Sequence, residues 1–230
     1  ALSGPRRQAL IQGIRRQYQA VLIDEFQDTD PVQYRIFTTA FSSEDAFIFF
    51  IGDPKQSVYG FRGADVFTYL KASSMVDRRY TLRSNWRSEP GLVAVVNQLF
   101  PESRKPFLIE GIDSYAVQAG RPDREGLMDE GSLQPSLEVL MVQTQRNHIT
   151  KEEAFDLFPR ITASDIQRLL SGDASLQGRS VKAQDIAVLV YENRQAIKIH
   201  EVLQEYGIAS VLQTGGSLFE TREADEVYRV

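Results

Sequence analysis

Two short apolar runs with a helical pattern between them constrain the fold of this chain more than any other feature. Residues 20–23 (AVLI) and 46–51 (AFIFFI) are continuous apolar runs, which predict strands buried on both faces. Between them, Asp30 is a good N-cap and Pro31 a good first helical residue, so a helix is expected to follow. Strand, helix and strand at this spacing form a βαβ unit, and the sequence therefore predicts an α/β fold with a parallel sheet.

The rest of the chain continues the alternation of predicted helices and strands. Four more helices are expected: over residues 5–18, from Ser88 and Pro90 onward, within 151–171, and over 195–206 before a left-handed cap at Gly207. Four more strands are expected at residues 80–82, 137–142, 186–191 and 208–212. Residues 101–135 are rich in Pro, Gly and charge and are expected to be an irregular insertion. Two α/β units that join near residues 72–79 are the simplest account.

Composition limits the class of protein without identifying it. Hydrophobic residues make up 42% and charged residues 25% of the 230, so the chain can build packed cores. The absence of cysteine excludes disulfides and thiolate metal sites and fits a reducing cytoplasm. No apolar run approaches the roughly 18 residues of a membrane span, and no signal peptide is recognisable. The net charge of −5 gives no bulk argument for nucleic acid, so any DNA contact must come from a local site.

Polar residues follow both predicted strands of the first unit. Asp24 and Glu25 come directly after the first apolar run, and Asp53 and Gln56 follow the second. In open α/β sheets, ligands bind beyond the carboxyl ends of the strands. An Asp there can hold Mg²⁺, a Glu can activate a water for attack on a phosphate, and a Gln can contact both water and phosphate. Each segment alone is also compatible with an ordinary turn, but together they favour one phosphate site.

Aromatic and basic residues elsewhere are further candidates. Tyr59 and Phe61 flank a glycine in a segment whose composition indicates a loop, and exposed aromatic rings can stack on single-stranded bases. Core packing is the alternative for either ring. Arg62 beside them can pair with a carboxylate or a phosphate. Arg87 precedes a predicted helix and can act as an arginine finger, with a surface ion pair as the alternative.

Three segments resemble the motifs of UvrD/Rep-like superfamily 1 helicases, in the family's order. Residues 21–33 (VLIDEFQDTDPVQ) resemble motif II, residues 50–65 (FIGDPKQSVYGFRGAD) motif III, and residues 82–88 (LRSNWRS) motif IV. Within this family the strings DPKQ, FRGAD and FTY are most similar to the RecB group, the beta chains of exodeoxyribonuclease V. The related AddA subunits usually lack the Gly-Ala pair, and many UvrD-like members carry Trp where Phe61 stands and Tyr where Trp86 stands.

The resemblance implies a fold, an activity and partners. The implied fold is a pair of incomplete RecA-like (P-loop NTPase) motor pieces: the back part of domain 1A at residues 1–77 and the front part of domain 2A at residues 78–230. The implied activity is ATP-dependent, Mg²⁺-assisted unwinding of DNA and translocation along it. The implied partners are single-stranded DNA, duplex DNA ends, and RecC-like and RecD-like subunits in the bacterial cytoplasm, with no membrane.

The resemblance also implies roles for individual residues. Asp24 would help to hold Mg²⁺, and Glu25 would activate the hydrolytic water. Gln56 would sense the γ-phosphate, and Arg87 would stabilise the charge of the transition state. The implied DNA-contacting residues are Tyr59, Phe61 and Arg62, of which Arg62 would also link motif III to the nucleotide. Phe at position 61 offers a smaller stacking face than the Trp that many members carry there.

Several parts of a complete motor are missing from these residues. No Gly-Lys dipeptide occurs, so the phosphate cradle Gly-x-x-x-x-Gly-Lys-Ser/Thr is absent, as are helicase motifs V and VI and a nuclease domain. The chain is therefore expected to be an internal piece of a helicase that does not hydrolyse ATP alone. The alternatives are a UvrD-type repair helicase without a nuclease and a non-catalytic, motor-like binding module, which the missing cradle favours if the chain is a natural whole.

Overall fold

The computed structural model describes residues 4, 6–43, 45–58, 60, 65–104, 106–143 and 148–213. They form two compact units. Unit 1 contains Ala1–Ser84 and Val96–Gln118, and unit 2 contains Asn85–Val95 and Ala119–Val230. The chain passes between the units within three elements: strand β3 (Ser84–Asn85), helix α4 (Pro90–Leu99) and strand β4 (Gln118–Ala119). No helix among the described residues is both long enough and apolar enough to cross a bilayer.

Unit 1 contains the predicted βαβ arrangement. Its elements are α1 (Arg7–Gln17), β1 (Ala20–Ile23), α2 (Pro31–Phe41), β2 (Phe47–Phe50) and α3 (Val66–Met75). β1 and β2 pair in parallel, with Ala20 opposite Phe47 and Ile23 opposite Phe50, which confirms the predicted parallel pairing. The helix between them begins as expected, because the Asp30 carboxylate accepts from the backbone N–H groups of Val32 and Gln33. Helix α3 is not among the predicted helices.

The prediction that both strands are buried on both faces is wrong for the described residues. Burial alternates along β1 and β2, and Leu22 and Phe47 are 64% and 63% exposed. The covered face packs on α2, α3 and the turn after β1 around a core of Ile23, Phe26 and Ala72. A continuous apolar run therefore has one buried face here, because helices cover one side of the strand pair.

Unit 2 contains two long helices, α5 (Lys151–Leu170) and α6 (Asn193–Glu205), and a four-stranded antiparallel sheet. The strands β5 (Leu127–Asp129), β6 (Ser132–Leu133), β7 (Ser175–Leu176) and β8 (Arg179–Ser180) lie in the order β6-β5-β7-β8. Both helices were expected, and α6 ends before Gly207, whose φ of +70° is the predicted left-handed conformation. The segment 101–135, expected to be irregular, contains β4, β5 and β6.

Four predicted strands are wrong as hydrogen-bonded strands. Residues 80–82, 137–142, 186–191 and 208–212 are not paired strands, because none has ladder hydrogen bonds to a neighbouring segment within the described part of the chain. Alternation along the chain is nevertheless visible. Ile186 and Val188 pack against the core between α5 and α6, whereas Leu189 and Tyr191 are 93% and 95% exposed. The period-two pattern thus marks which side is covered, although the described residues form no strand ladder there.

Candidate functional site

The turn after β1 carries the first two predicted site residues. Asp24 and Glu25 follow Ile23 directly, and both are exposed. Glu25 has φ 49° and ψ 42°, a left-handed conformation that is uncommon for a residue with a side chain. The backbone N–H of Glu25 donates to Asp24 Oδ1 over 3.0 Å. The tight turn therefore presents two carboxylates at the carboxyl end of β1.

The turn after β2 carries the second pair of predicted site residues. Asp53 Oδ1 accepts from the backbone N–H of Lys55 at 3.0 Å and lies 2.7 Å from Lys55 Nζ. Asp53 Oδ2 accepts from Gln56 Nε2 at 3.2 Å. These contacts close a short 3-10 turn at Pro54–Gln56. They hold the Gln56 amide by its nitrogen and leave its oxygen as the acceptor.

A buried glutamine joins the two turns. Gln27 is 1% exposed, and its Nε2 donates to Glu25 Oε2 at 2.7 Å. Its Oε1 accepts from the backbone N–H of Asp53 at 3.0 Å, and its carbonyl accepts from Ser57 Oγ at 3.3 Å. Because β1 and β2 are parallel, both turns lie at the same edge of the sheet, as the sequence predicts. The structure thus links Glu25 to Asp53 through one side chain.

Gly52 lies where no larger residue fits without movement. A Cβ atom at position 52 would come within 2.5 Å of Gln27 Oε1 and 3.0 Å of the backbone nitrogen of Phe26. The hydroxyl of Tyr69 donates to the Gly52 carbonyl at 3.4 Å. Burial raises the pKa of Tyr69, and the negative charge of Asp53 raises it further, while Arg79 acts in the opposite direction. The tyrosine therefore stays a neutral donor beneath the second turn at physiological pH.

Arg87 belongs to unit 2 and is exposed. Its backbone N–H and that of Ser88 donate to Asn85 Oδ1, each over 2.9 Å. Its carbonyl accepts from the Arg124 guanidinium. Glu89 then caps α4 by accepting from the backbone N–H groups of the helix's first turn. The backbone at Arg87 is fixed on both sides, which leaves the guanidinium to project from a held position.

Some candidates lie outside the described residues, and some important residues were not predicted. The three DNA-contact candidates Tyr59, Phe61 and Arg62 are outside the residues that the structure describes. Gln27 and Asn85 were not assigned a role from sequence. The available signal was that each is a polar residue within a motif, Gln27 in motif II and Asn85 in motif IV. The hydrogen-bond partners of Gln27 are revealed only by the fold.

The residues after β1 fit a magnesium ion shared with a nucleotide. Asp24 is exposed, and within the described residues its carboxylate accepts one hydrogen bond, from the neighbouring Glu25 N–H. Mg²⁺ keeps several waters and binds through one or two carboxylates together with substrate phosphates. A single accessible carboxylate at a sheet edge meets that requirement. Asp24 is therefore chemically suited to hold such an ion.

Comparison with known proteins gives the class. The profile of the UvrD/REP helicase N-terminal domain matches residues 3–77, and that of the UvrD-like helicase C-terminal domain matches residues 80–228. The chain belongs to the UvrD-like helicase family. Membership implies an α/β fold of the P-loop NTPase type and, in general, the use of ATP and Mg²⁺.

Individual relatives show which group within this family the chain is similar to. The chain is 37% identical to the RecBCD enzyme subunit RecB of Escherichia coli K12 over 99% of its length. It is 37% identical to the same subunit from Haemophilus influenzae over 99%, and 35% identical to that of Mycobacterium tuberculosis over 93%. The predicted resemblance to RecB is confirmed. The chain spans about a fifth of the length of these relatives, 19–20% in each case.

Proposed function

We propose that these residues form part of the ATP-driven motor of a RecB-like DNA helicase. Residues 1–77 would be the back part of a RecA-like domain 1A, and residues 78–230 the front part of domain 2A. The observation that carries the proposal is the meeting of the Glu25 turn and the Asp53–Gln56 turn at one sheet edge, bridged by Gln27. Carboxylates and an amide at such an edge suit binding and hydrolysis of a nucleotide phosphate.

Each site residue has a chemical task in this proposal. Glu25 accepts a proton from the attacking water, which must be within hydrogen-bond reach of its carboxylate. Gln56 offers its amide oxygen to that water while Asp53 holds its nitrogen. From the family resemblance, Arg87 is assigned the task of supplying positive charge to the transferred phosphoryl group. Asp24 would hold Mg²⁺, which when bound would neutralise charge on the nucleotide phosphates.

The DNA-binding part of the proposal comes from the resemblance and the sequence. Tyr59 and Phe61 would stack on single-stranded bases, and Arg62 would connect that contact to the nucleotide site. The segment that carries them begins two residues after Ser57, whose hydroxyl bonds to the Gln27 carbonyl. A structural change at the nucleotide would therefore be transmitted to the DNA-contacting segment through a small number of hydrogen bonds and peptide bonds.

The biological role is proposed from the relatives. These relatives are subunits of the RecBCD enzyme, so we propose that RecC-like and RecD-like subunits assemble with the full-length protein in the bacterial cytoplasm. Unwinding from duplex ends would then serve double-strand-break repair and recombination. Nothing in these 230 residues supports an exonuclease centre, and we assign none to them.

A polypeptide limited to these residues should not turn over ATP. It has no Gly-x-x-x-x-Gly-Lys-Ser/Thr loop, whose backbone N–H groups and lysine supply most of the binding to the phosphates. If the full-length protein lacked that loop as well, the alternative of a non-catalytic binding module would be favoured. ATP binding and hydrolysis by the full-length protein, compared with the 230-residue polypeptide, distinguish the two: no binding by the full-length protein would support the module.

The decisive variant is Glu25→Gln in the full-length protein. It keeps the size of the side chain and removes the base, so the ATP turnover number should fall by roughly 10²–10⁴-fold while nucleotide binding persists. The matched control is Glu130→Gln, since Glu130 is also exposed and left-handed, with φ 48°, in the turn between β5 and β6. Unchanged turnover in Glu25→Gln would reject the assignment.

A further inference from the structure

We propose that Gln27 is a positioning residue for hydrolysis. Its side-chain amide holds the Glu25 carboxylate and fixes it relative to the backbone that follows β2. This inference rests on the proposed role of Glu25 as the base. It assigns to the fourth residue of the string Asp24-Glu25-Phe26-Gln27 a task that its neighbours cannot perform. The task is to set the direction of the Glu25 carboxylate rather than to touch the nucleotide.

The two halves of the Gln27 amide have opposite partners. Nε2 donates to Glu25 Oε2 at 2.7 Å, and Oε1 accepts from the Asp53 backbone N–H at 3.0 Å. A carboxylate can only accept and a backbone N–H can only donate, so a single orientation of the amide satisfies both. Rotating the amide by half a turn would set oxygen against oxygen and donor against donor. The contact with Glu25 is therefore directional.

Burial makes this arrangement rigid. Gln27 is 1% exposed, so water does not compete for its hydrogen bonds. The backbone of Gly52 lies close to the amide, since a Cβ atom added at that position would be 2.5 Å from Oε1. The side chain is thus enclosed by its own turn and by the backbone after β2. Glu25, by contrast, is exposed and would otherwise sample several rotamers.

The amide is not needed to hold the two strand ends together. Backbone hydrogen bonds already continue the pairing past the strands, from Ile51 N–H to the Ile23 carbonyl at 2.9 Å and from Phe26 N–H to the Ile51 carbonyl at 2.8 Å. A purely structural glutamine would duplicate this connection. The two hydrogen bonds of the Gln27 amide are what this backbone pairing does not supply, and the one to Glu25 is the one that reaches the proposed base. Reactions of this type lose rate steeply when a reacting group is displaced by about 1 Å.

The test replaces Gln27 by Met in the full-length protein, which keeps the length of the side chain and removes both hydrogen bonds. The turnover number for ATP should fall by roughly 10–100-fold. The KM for ATP and the affinity for a fluorescent ATP analogue should change by less than about threefold, because misplacing a base removes transition-state rather than ground-state stabilisation. The matched control is Gln33→Met, since within the described residues the Gln33 amide closes the cap of α2 by accepting from Asp30 N–H and has no contact with Glu25.

Coupling to Glu25 separates positioning from a general loss of structure. In a Glu25→Gln background, Gln27→Met should lower the residual turnover by less than twofold, because there is no base left to misplace. A further drop of tenfold or more in that background would overturn the inference, as would parallel losses of turnover and nucleotide affinity in the single variant. Wild-type turnover in Gln27→Met would also overturn it.

A second variant keeps the inference testable if Gln27→Met does not fold. In Gly52→Ala, the added Cβ atom would crowd Gln27 Oε1 and displace the amide. The turnover number should fall by about threefold to 30-fold, with the KM for ATP unchanged. Wild-type turnover in a folded Gly52→Ala protein would reject the inference. Failure of the proposed function itself would be recognised separately, by full turnover in Glu25→Gln whatever Gln27 does.

Discussion

The rings of Phe26 and Phe50 lie 4.4 Å apart between centroids and are tilted by 37°. Phe26 follows Glu25 in the chain, and Phe50 precedes the turn that contains Asp53. The contact between the two rings therefore connects the chain segments on which the two turns are built. The rings of Tyr34 and Tyr69 are 6.0 and 5.8 Å from that of Phe26. The candidate site therefore rests on an aromatic cluster, and its geometry depends on that packing.

Replacing Phe26 by Ala should destabilise unit 1. Phe26 is 1% exposed, and removing a buried phenyl ring costs about 3–5 kcal/mol through lost transfer free energy and the cavity left behind. The free energy of unfolding of unit 1, measured by urea denaturation, should fall by that amount. Phe67→Ala serves as the control, because Phe67 in α3 is 65% exposed and its loss should cost less than about 0.5 kcal/mol. Equal effects of the two variants would contradict the aromatic core.

The cap of α2 should contribute measurably to stability. Asp30 Oδ1 accepts from Val32 N–H at 2.7 Å and from Gln33 N–H at 2.9 Å. Asp30→Ala should therefore lower the free energy of unfolding by about 1 kcal/mol, whereas Asp30→Asn should retain most of it because Asn is an equally good N-cap. Thermal unfolding of the three proteins makes the comparison. Similar melting temperatures for Ala and Asn would mean that the cap contributes nothing.

Local patterns in the sequence were sufficient to predict the strand, helix and strand at the centre of unit 1. The apolar runs at 20–23 and 46–51 and the Asp30-Pro31 helix start each report on a few neighbouring residues, and the structure has β1, α2 and β2 there in parallel order. The placement of Glu25 and Asp53 at one sheet edge follows from that order. Their chemical roles, and those of Asp24, Gln56 and Arg87, remain predictions.

Features that depend on distant partners were not predictable in this way. The Oε1 of Gln27 accepts from Asp53, 26 residues along the chain, and no periodicity signals such a contact. β5 pairs with β7 across almost 50 residues, and the β7 strand is only two residues long. Residues 186–191 have the alternation of a strand but lack a hydrogen-bonded neighbour in the described structure. Sequence patterns report which side of a segment is apolar, whereas pairing is decided by the partner.

The ion pair between Arg179 and Asp185 predicts a local pH dependence in unit 2. Arg179 donates to both carboxylate oxygens at 2.6 and 2.8 Å, and Lys182 N–H donates at 3.0 Å. The Arg179 hydrogen bonds, followed by that from Lys182, lower the pKa of Asp185 to about 2. A depressed pKa in the folded state stabilises it above the ordinary value of about 3.9, and this stabilisation is lost as the pH falls toward about 2.

Removing the guanidinium should therefore raise the pKa of Asp185. In Arg179→Met the carboxyl titration, followed by ¹³C NMR, should move upward toward the ordinary range of about 3.9. Arg179→Lys, which keeps the charge but loses the paired geometry, should lie between the two. An unchanged midpoint in Arg179→Met would contradict the ion pair. Because the Arg179 side chain is exposed, the effect on overall stability should be small and screened by salt.

The turn at Asn85 should control the activity attributed to Arg87. Asn85 Oδ1 accepts from the N–H groups of Arg87 and Ser88, so Asn85→Ala leaves two donors without their partner and loosens the backbone from which the guanidinium projects. If Arg87 stabilises the transition state, the turnover number for ATP at saturating ATP and DNA should fall by about tenfold, equivalent to about 1.4 kcal/mol.

Two further variants test whether the turn itself is responsible. Asn85→Asp keeps the acceptor oxygen and should retain most activity. Asn193→Ala is the control, because Asn193 lies at the exposed start of α6 and its side chain makes no hydrogen bond within the described residues. Full activity in Asn85→Ala would show that the held backbone is not what aligns Arg87, because the turn would then be dispensable for turnover.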